Sequence, residues 1–230
     1  MKKLFTLLLI GCTFSPFAQC DDSFFPFTEG VSFEQTAYDK KGKQQGKSMS
    51  KVISVDGSSA VVKNVYFDKK GEEMADGEYT IICEGNTIKM DFNNFIPEGM
   101  LDQYGDAEVS VEGDFITIPD NLQAGQALPD GTGTITIKMT SSAAMNITMD
   151  MTITDRKVEK KETLDTPAGS FESFKITQTT IMKMNMMGMN KTTETSAASW
   201  YTKGVGMVRN ENYDKKGNLM GYTLLTSFNK

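Results

Sequence analysis

The chain has 230 residues, 39% of them apolar and 23% charged, with six prolines. That composition is globular rather than disordered, and the length suits one all-β domain with a sizeable core. The net charge of −6 argues against nucleic acid and anionic lipid headgroups as partners. The absence of histidine removes the usual general base, the Ser-His and Cys-His nucleophile pairs and most zinc sites.

Lys2 and Lys3 precede an apolar run, Leu4 to Ile10, that extends loosely to Ala18. This is the n-region and h-region of a secretory signal, with cleavage expected after Ala18 although Pro16 occupies a position usually held by a small side chain. Residues 1–18 are thus read as a signal peptide and residues 19–230 as a single antiparallel β-domain. The expected location is the periplasm, the cell surface or the medium. The lesser alternative is a lipid anchor, at Cys12 after Leu9-Ile10-Gly11 or at Cys20. No later stretch approaches the roughly 20 apolar residues of a membrane-spanning helix. Taking Lys2 and Lys3 from the 24 basic residues leaves 22 against 30 acidic ones, a balance of −8.

Cys12 leaves with the signal. Cys20 and Cys83 remain, an even pair in an oxidising compartment, and they predict a disulfide. Its loop of about 60 residues would stabilise by roughly 3–4 kcal/mol in the chain-entropy picture. It would tie an otherwise loose N-terminus to a strand. Phe24, Phe25 and Phe27 then read as a plug packed on the sheet.

From Val31 onward the chain alternates strand-length runs with turn residues. Strands are expected at 31–38, 47–55 and 58–67, the last two joined by Asp56-Gly57, a strong hairpin signal. Asp39-Lys40-Lys41-Gly42 recurs as Asp68-Lys69-Lys70-Gly71 and Asp214-Lys215-Lys216-Gly217. In each, the Asp carboxylate can accept a backbone N–H and Gly can take the left-handed position. Strands follow at 79–83 and 87–92. Residues 97–104 suggest one short helical turn. Residues 108–111 and 115–118 read as a tight hairpin over Gly113-Asp114. A long connection runs over 119–131.

Residues 134–139 alternate, and 145–153 place Met145, Ile147, Met149, Met151 and Ile153 on one face with Asn146, Thr148, Asp150 and Thr152 on the other. Such alternation marks an antiparallel sheet with one buried face. The basic stretch Arg156 to Lys161 alternates with Glu159 and Glu162 and reads as a solvated strand face. Runs 171–184, 192–201, 207–213 and 219–228 complete the chain. The total is about 12–14 strands in one antiparallel meander. A sheet that wide curls or closes, so the fold is expected to be a curved sheet, half-barrel or barrel.

Catalytic signatures are missing. The sequence holds no Walker A loop and no Gly-x-Ser-x-Gly elbow, and Gly204-Val205-Gly206 is too short for a dinucleotide fingerprint. Asp21-Asp22 and Glu72-Glu73 sit in turn-like surroundings. The expectation is a non-enzyme without a cofactor. The sixteen methionines are the unusual feature. Thioethers fill irregular apolar interiors, and they also suit Cu(I). Met145, Met149, Met151, Met182, Met184, Trp200 and Tyr222 are therefore candidate linings of an apolar cavity. Met184, Met186 and Met189 are the Cu(I) alternative. Trp200-Tyr201 alternatively reads as core and rim.

Three segments carry a resemblance. They are Thr166-Pro167-Ala168-Gly169-Ser170-Phe171-Glu172-Ser173-Phe174-Lys175-Ile176, the run from Trp200 to Arg209, and Gly125-Gln126-Ala127-Leu128-Pro129-Asp130. Together they resemble the TapB-like family of exported bacterial β-proteins, a domain of unknown function. The resemblance implies a single antiparallel barrel-like domain in the periplasm or at the cell surface, and it transfers no site residue. The expected function is a non-enzymatic envelope protein holding a hydrophobic or lipid-like molecule. An interaction or adhesion-assembly module with an envelope protein partner is the second reading, and Met-based Cu(I) binding the third.

Overall fold

A computed structural model describes residues 20, 22–85, 87–91, 108–138, 146–186 and 188–230. The signal peptide, the proposed helical turn at 97–104 and Met145 lie outside the described residues. The described residues form thirteen strands and no helix. These are β1 (Ser32–Asp39), β2 (Gln44–Asp56), β3 (Ser59–Asp68), β4 (Glu73–Glu84), β5 (Thr87–Met90), β6 (Glu108–Gly113) and β7 (Ile116–Ile118). They continue as β8 (Gly131–Lys138), β9 (Asn146–Thr166), β10 (Gly169–Met186), β11 (Met189–Thr202), β12 (Gly206–Asp214) and β13 (Leu219–Asn229). All join one antiparallel sheet, ordered β6-β8-β9-β10-β11-β12-β13-β1-β2-β3-β4-β5-β7.

The three Asp-Lys-Lys-Gly turns behave alike. The Asp39 carboxylate accepts the N–H of Lys41 at 2.8 Å and of Lys43 at 2.9 Å. Asp68 and Asp214 repeat those two bonds. Gly42, Gly71 and Gly217 all have φ near +80°, the region glycine enters without a Cβ clash. These backbone N–H bonds hold the Asp39 and Asp68 carboxyls below the usual carboxylate range; at Asp214 the Asn218 side-chain amide leads the same effect.

One expected pairing does not form. β6 and β7 are consecutive in sequence but make no hairpin; β6 pairs with β8 and β7 with β5. They are the two edges of the sheet. Only Asp114 and Phe115 separate them, so Gly113 and Ile116 lie at most about 11 Å apart. The sheet must therefore roll until its edges come near each other, and the chain crosses the gap covalently. Asp114 is held to β8 instead of to a hairpin: its N–H donates to the Thr132 carbonyl at 2.8 Å and its carboxylate accepts from the Thr132 hydroxyl at 2.8 Å. The result is a half-barrel in which, among the described residues, the two edge strands do not pair with each other.

The main core lies on the concave face, where Val52, Ala60, Val62, Cys83 and Val158 are fully buried. The N-terminal plug closes on it. Phe24 is 2% exposed, and its ring meets Phe174 edge-on at 5.7 Å. Cys20 is disulfide-bonded to Cys83, with a Cα–Cα distance of 6.1 Å. The Gly204 N–H donates to the Ser23 carbonyl at 2.7 Å, and Lys203 pairs with Asp22 at 2.5 Å. The plug is thus held covalently, by backbone bonding and by apolar burial.

A second cluster joins Ala198, Trp200, Val208 and Leu225 with Ala168 of the β9–β10 turn and with Leu164 and Phe171 on either side of it.

Candidate functional site

The plug and the concave face line a partly open chamber of about 330 Å³. That is within the range of small-ligand sites, at its lower end. Its apolar wall comes from Phe24, Phe25, Ile81, Ile88, Ile116, Ile118, Ile153 and Ile176. These residues come from the plug and from five strands, and alternate positions of each strand reach one face.

Two polar groups interrupt that wall. In the first, the buried Ser50 hydroxyl donates to the Asn64 side-chain carbonyl at 3.0 Å, beside Tyr66 and Tyr79. Burial pushes both phenols up from their ordinary pKa, so they stay neutral. In the second, Arg156, Gln178, Ser199 and Tyr201 line the chamber together. Burial also raises the Tyr201 phenol. Ser199 donates to Asn210 at 2.7 Å.

Arg156 corrects the expectation of a solvated strand face: it is only 4% exposed. The cause is a bulge in β9. Thr177 pairs with Lys157 and Thr179 with Thr154, so Asp155 and Arg156 together oppose Gln178. Asp155 sits at φ +54°, the sole non-glycine residue with positive φ among the described residues. The extra residue shifts the alternation. Ile153 points inward, then Arg156 and Val158, where an unbroken strand would have turned Asp155 inward. Arg156 Nη1 donates to the Pro129 carbonyl at 2.7 Å and Nη2 to the Thr117 carbonyl at 3.0 Å. It thereby ties β9 to β7 across the gap between the sheet's edges. The contact of Ile153 with Ile116 and Met90 closes the same gap with apolar groups.

The predicted lining residues fall elsewhere. None of Met149, Met151, Met182, Met184, Trp200 and Tyr222 lines the chamber; the methionines there are Met90 and Met207. Met149 and Met151 do share the face of Ile153, but farther along β9. Met151 stands opposite Met182 and Met149 opposite Met184. Met149, Met184 and Met186 pack with Ile135, Ile137 and Ile147 in a satellite core. Met189 is 64% exposed at the β10–β11 tip, opposite Met186. Among the described residues no group of His, Cys, Asp and Glu is placed to hold a metal.

Trp200 lies between Ser199 and Tyr201, both chamber residues, and so points to the other face of β11. There Lys175 and Arg209 lie 5.3 and 5.4 Å from its ring, and its indole N–H donates to Glu162 at 2.9 Å. That bond, then the one from Lys160, holds the Glu162 carboxyl below its usual range. Tyr222 stacks on Tyr38 at 5.1 Å, with Arg209 at 5.6 Å from its ring. Trp200-Tyr201 is therefore split: Tyr201 faces the chamber and Trp200 the opposite core.

Sequence reasoning missed Tyr66, Tyr79 and Arg156. The signal for Arg156 was present, because Ile153 and Val158 are five residues apart and can share a face only if the strand slips phase between them.

Two crystal structures share this architecture. One, from Bacteroides fragilis and named as an exported protein with a YmcC-like fold, is 23% identical with a TM-score of 0.69, covering 90% of this chain and 99% of that one. The other, named as a lipoprotein of Parabacteroides distasonis, is 26% identical with a TM-score of 0.72, covering 91% and 99%. No curated protein matches. The family model that matches, over residues 28–225, is DUF3108-like, a name different from the TapB-like one suggested by the motifs. The chain belongs to the DUF3108-like family.

Proposed function

We propose that this protein is an exported, non-catalytic envelope protein whose half-barrel shelters a lipid-like molecule. One observation carries the reading: a chamber of about 330 Å³ with an aromatic and aliphatic wall and a few convergent polar groups, the usual composition of a small-molecule site. Export is supported by the apolar N-terminal run after Lys2 and Lys3. It is supported too by the names of the two similar structures, one an exported protein and one a lipoprotein. The Cys20 sulfur is engaged in the disulfide, so an acyl anchor on this chain would fall to Cys12.

Native mass spectrometry of gently purified mature protein tests the reading. A releasable mass of an amphiphile, or uptake of one added fatty acid per chain, is expected. An empty protein that takes up neither fatty acids nor neutral lipids would overturn it. A Cu(I) role is the second reading, favoured by the register that sets Met149, Met151, Met182 and Met184 side by side on one face. Unaltered Cu(I) uptake after Met182→Leu with Met184→Leu would remove its basis.

A further inference from the structure

The chamber holds a cation that the fold has gone out of its way to turn inward. Asp155 accepts a left-handed backbone at φ +54°, a strain of about 1–3 kcal/mol for a non-glycine residue. The consequence is a guanidinium on the concave face where regular alternation would put a carboxylate. Among the described residues no carboxylate lies within ion-pair distance of Arg156. Asp130 favours the charge only through space, without an ion pair; a buried charge so thinly compensated is expensive, and fold stability alone is served as well by an apolar residue.

The donor inventory shows what is left over. Arg offers five N–H donors in a rigid fork. One on each Nη is spent on the Pro129 and Thr117 carbonyls. Nε is buried and has no partner. Two backbone carbonyls thus hold the guanidinium in place while its Nε donor stays unspent, on a residue that lines the chamber together with Gln178 and Tyr201. A carboxylate accepts in the side-on fork of Nε and one Nη, supplying both a direct counter-charge and the missing acceptor. Apart from Gln35, Ser48 and the Ser50–Asn64 pair with its two tyrosines the rest of the wall is apolar, and about 330 Å³ suits one acyl chain rather than a two-chain phospholipid.

We propose that Arg156 is the anchor for the acid group of a single-chain amphiphile: the chamber binds a long-chain carboxylate, head on the Nε edge of Arg156 and tail among Phe24, Ile81, Ile88 and Ile118. The inference rests on the chamber reading above and goes further in naming the ligand's charge and its anchor.

The test separates the two. Mature wild-type protein is loaded with the neutral probe N-phenylnaphthylamine, which is then displaced by dodecanoate or by dodecanol at neutral pH. Dodecanoate is expected to displace at a concentration lower by about tenfold or more, the scale of a charge-assisted hydrogen bond. Arg156→Met is expected to abolish that preference, so that dodecanoate and dodecanol displace the probe at similar concentrations in the same variant. Arg156→Lys, which keeps the charge but loses the fork, is expected to keep the preference in weakened form. Equal displacement by acid and alcohol in the wild type overturns the inference and leaves the chamber reading standing. So does an equal loss of both ligands in a folded Arg156→Met. Failure of the wild type to take up any of the three molecules overturns both. The wild-type comparison needs no variant, so loss of folding on cutting the tie to β7 leaves the test intact.

Discussion

Breaking the Cys20–Cys83 disulfide should lower stability by an amount the geometry fixes. The crosslink spans a sequence separation of 63 residues, and loop-closure entropy for that length comes to about 4 kcal/mol at room temperature. The effect resides chiefly in the unfolded chain. In the folded state the plug keeps its other ties, the Gly204–Ser23 backbone bond, the Lys203–Asp22 pair and the buried Phe24. For a domain of this size each kcal/mol moves Tm by about 2–4 °C, so Cys20→Ala with Cys83→Ala should melt about 8–16 °C lower. Circular dichroism melts of the two mature proteins measure this, and the far-ultraviolet spectra at low temperature should coincide. A double variant melting within about 2 °C of wild type would show that the loop-closure contribution is absent.

Three further perturbations follow from local geometry. Gly46→Ala places a Cβ 2.5 Å from the Phe67 carbonyl oxygen; the backbone must shift, and a thermal melt should show a loss of about 1–3 kcal/mol. Asp155→Val should destabilise more than Asp155→Gly, since a β-branched residue resists φ +54°; equal melts of the two would contradict the bulge. Acidification should shift the emission of the single tryptophan as Glu162 loses its charge. The Trp200 N–H holds that carboxyl low, so its contribution to stability is present above the ordinary glutamate value of about 4.3 and is lost as pH falls through the lower folded value. A midpoint at or above the ordinary value, or one unchanged by Glu162→Gln, would count against the assignment.

Much of the architecture was legible because local chemistry and global fold agree. The Asp-Lys-Lys-Gly turns declare themselves through a carboxylate and a glycine at fixed spacing. The alternation from Ile147 to Ile153 declares one buried face. Other features were hidden for physical reasons. Gly113-Asp114 has the chemistry of a hairpin turn whether its flanking strands pair with each other or with distant partners, and here the roll of the sheet decides. The first half of β4 is too polar to read as a strand, since its neighbours rather than its own propensity hold it. The methionine face was rightly read as apolar and inward for Met149, Met151 and Ile153. The chamber lies instead toward the plug, where isoleucines and phenylalanines meet tyrosines. Arg156 looked solvated because its neighbours Lys157, Glu159 and Lys160 are, and only the phase slip at Asp155 separates it from them.

A half-barrel that holds an acyl chain in one place should fix the position of its terminal carbon. A crystal of the mature protein grown with a terminally brominated dodecanoate tests it most directly, by the anomalous signal of the bromine. A single strong peak is expected between Ile81, Ile88 and Ile118, with the carboxylate at Arg156. Bromine bound solely at the Met-rich tip, or a saturated crystal whose chamber contains none, would contradict it.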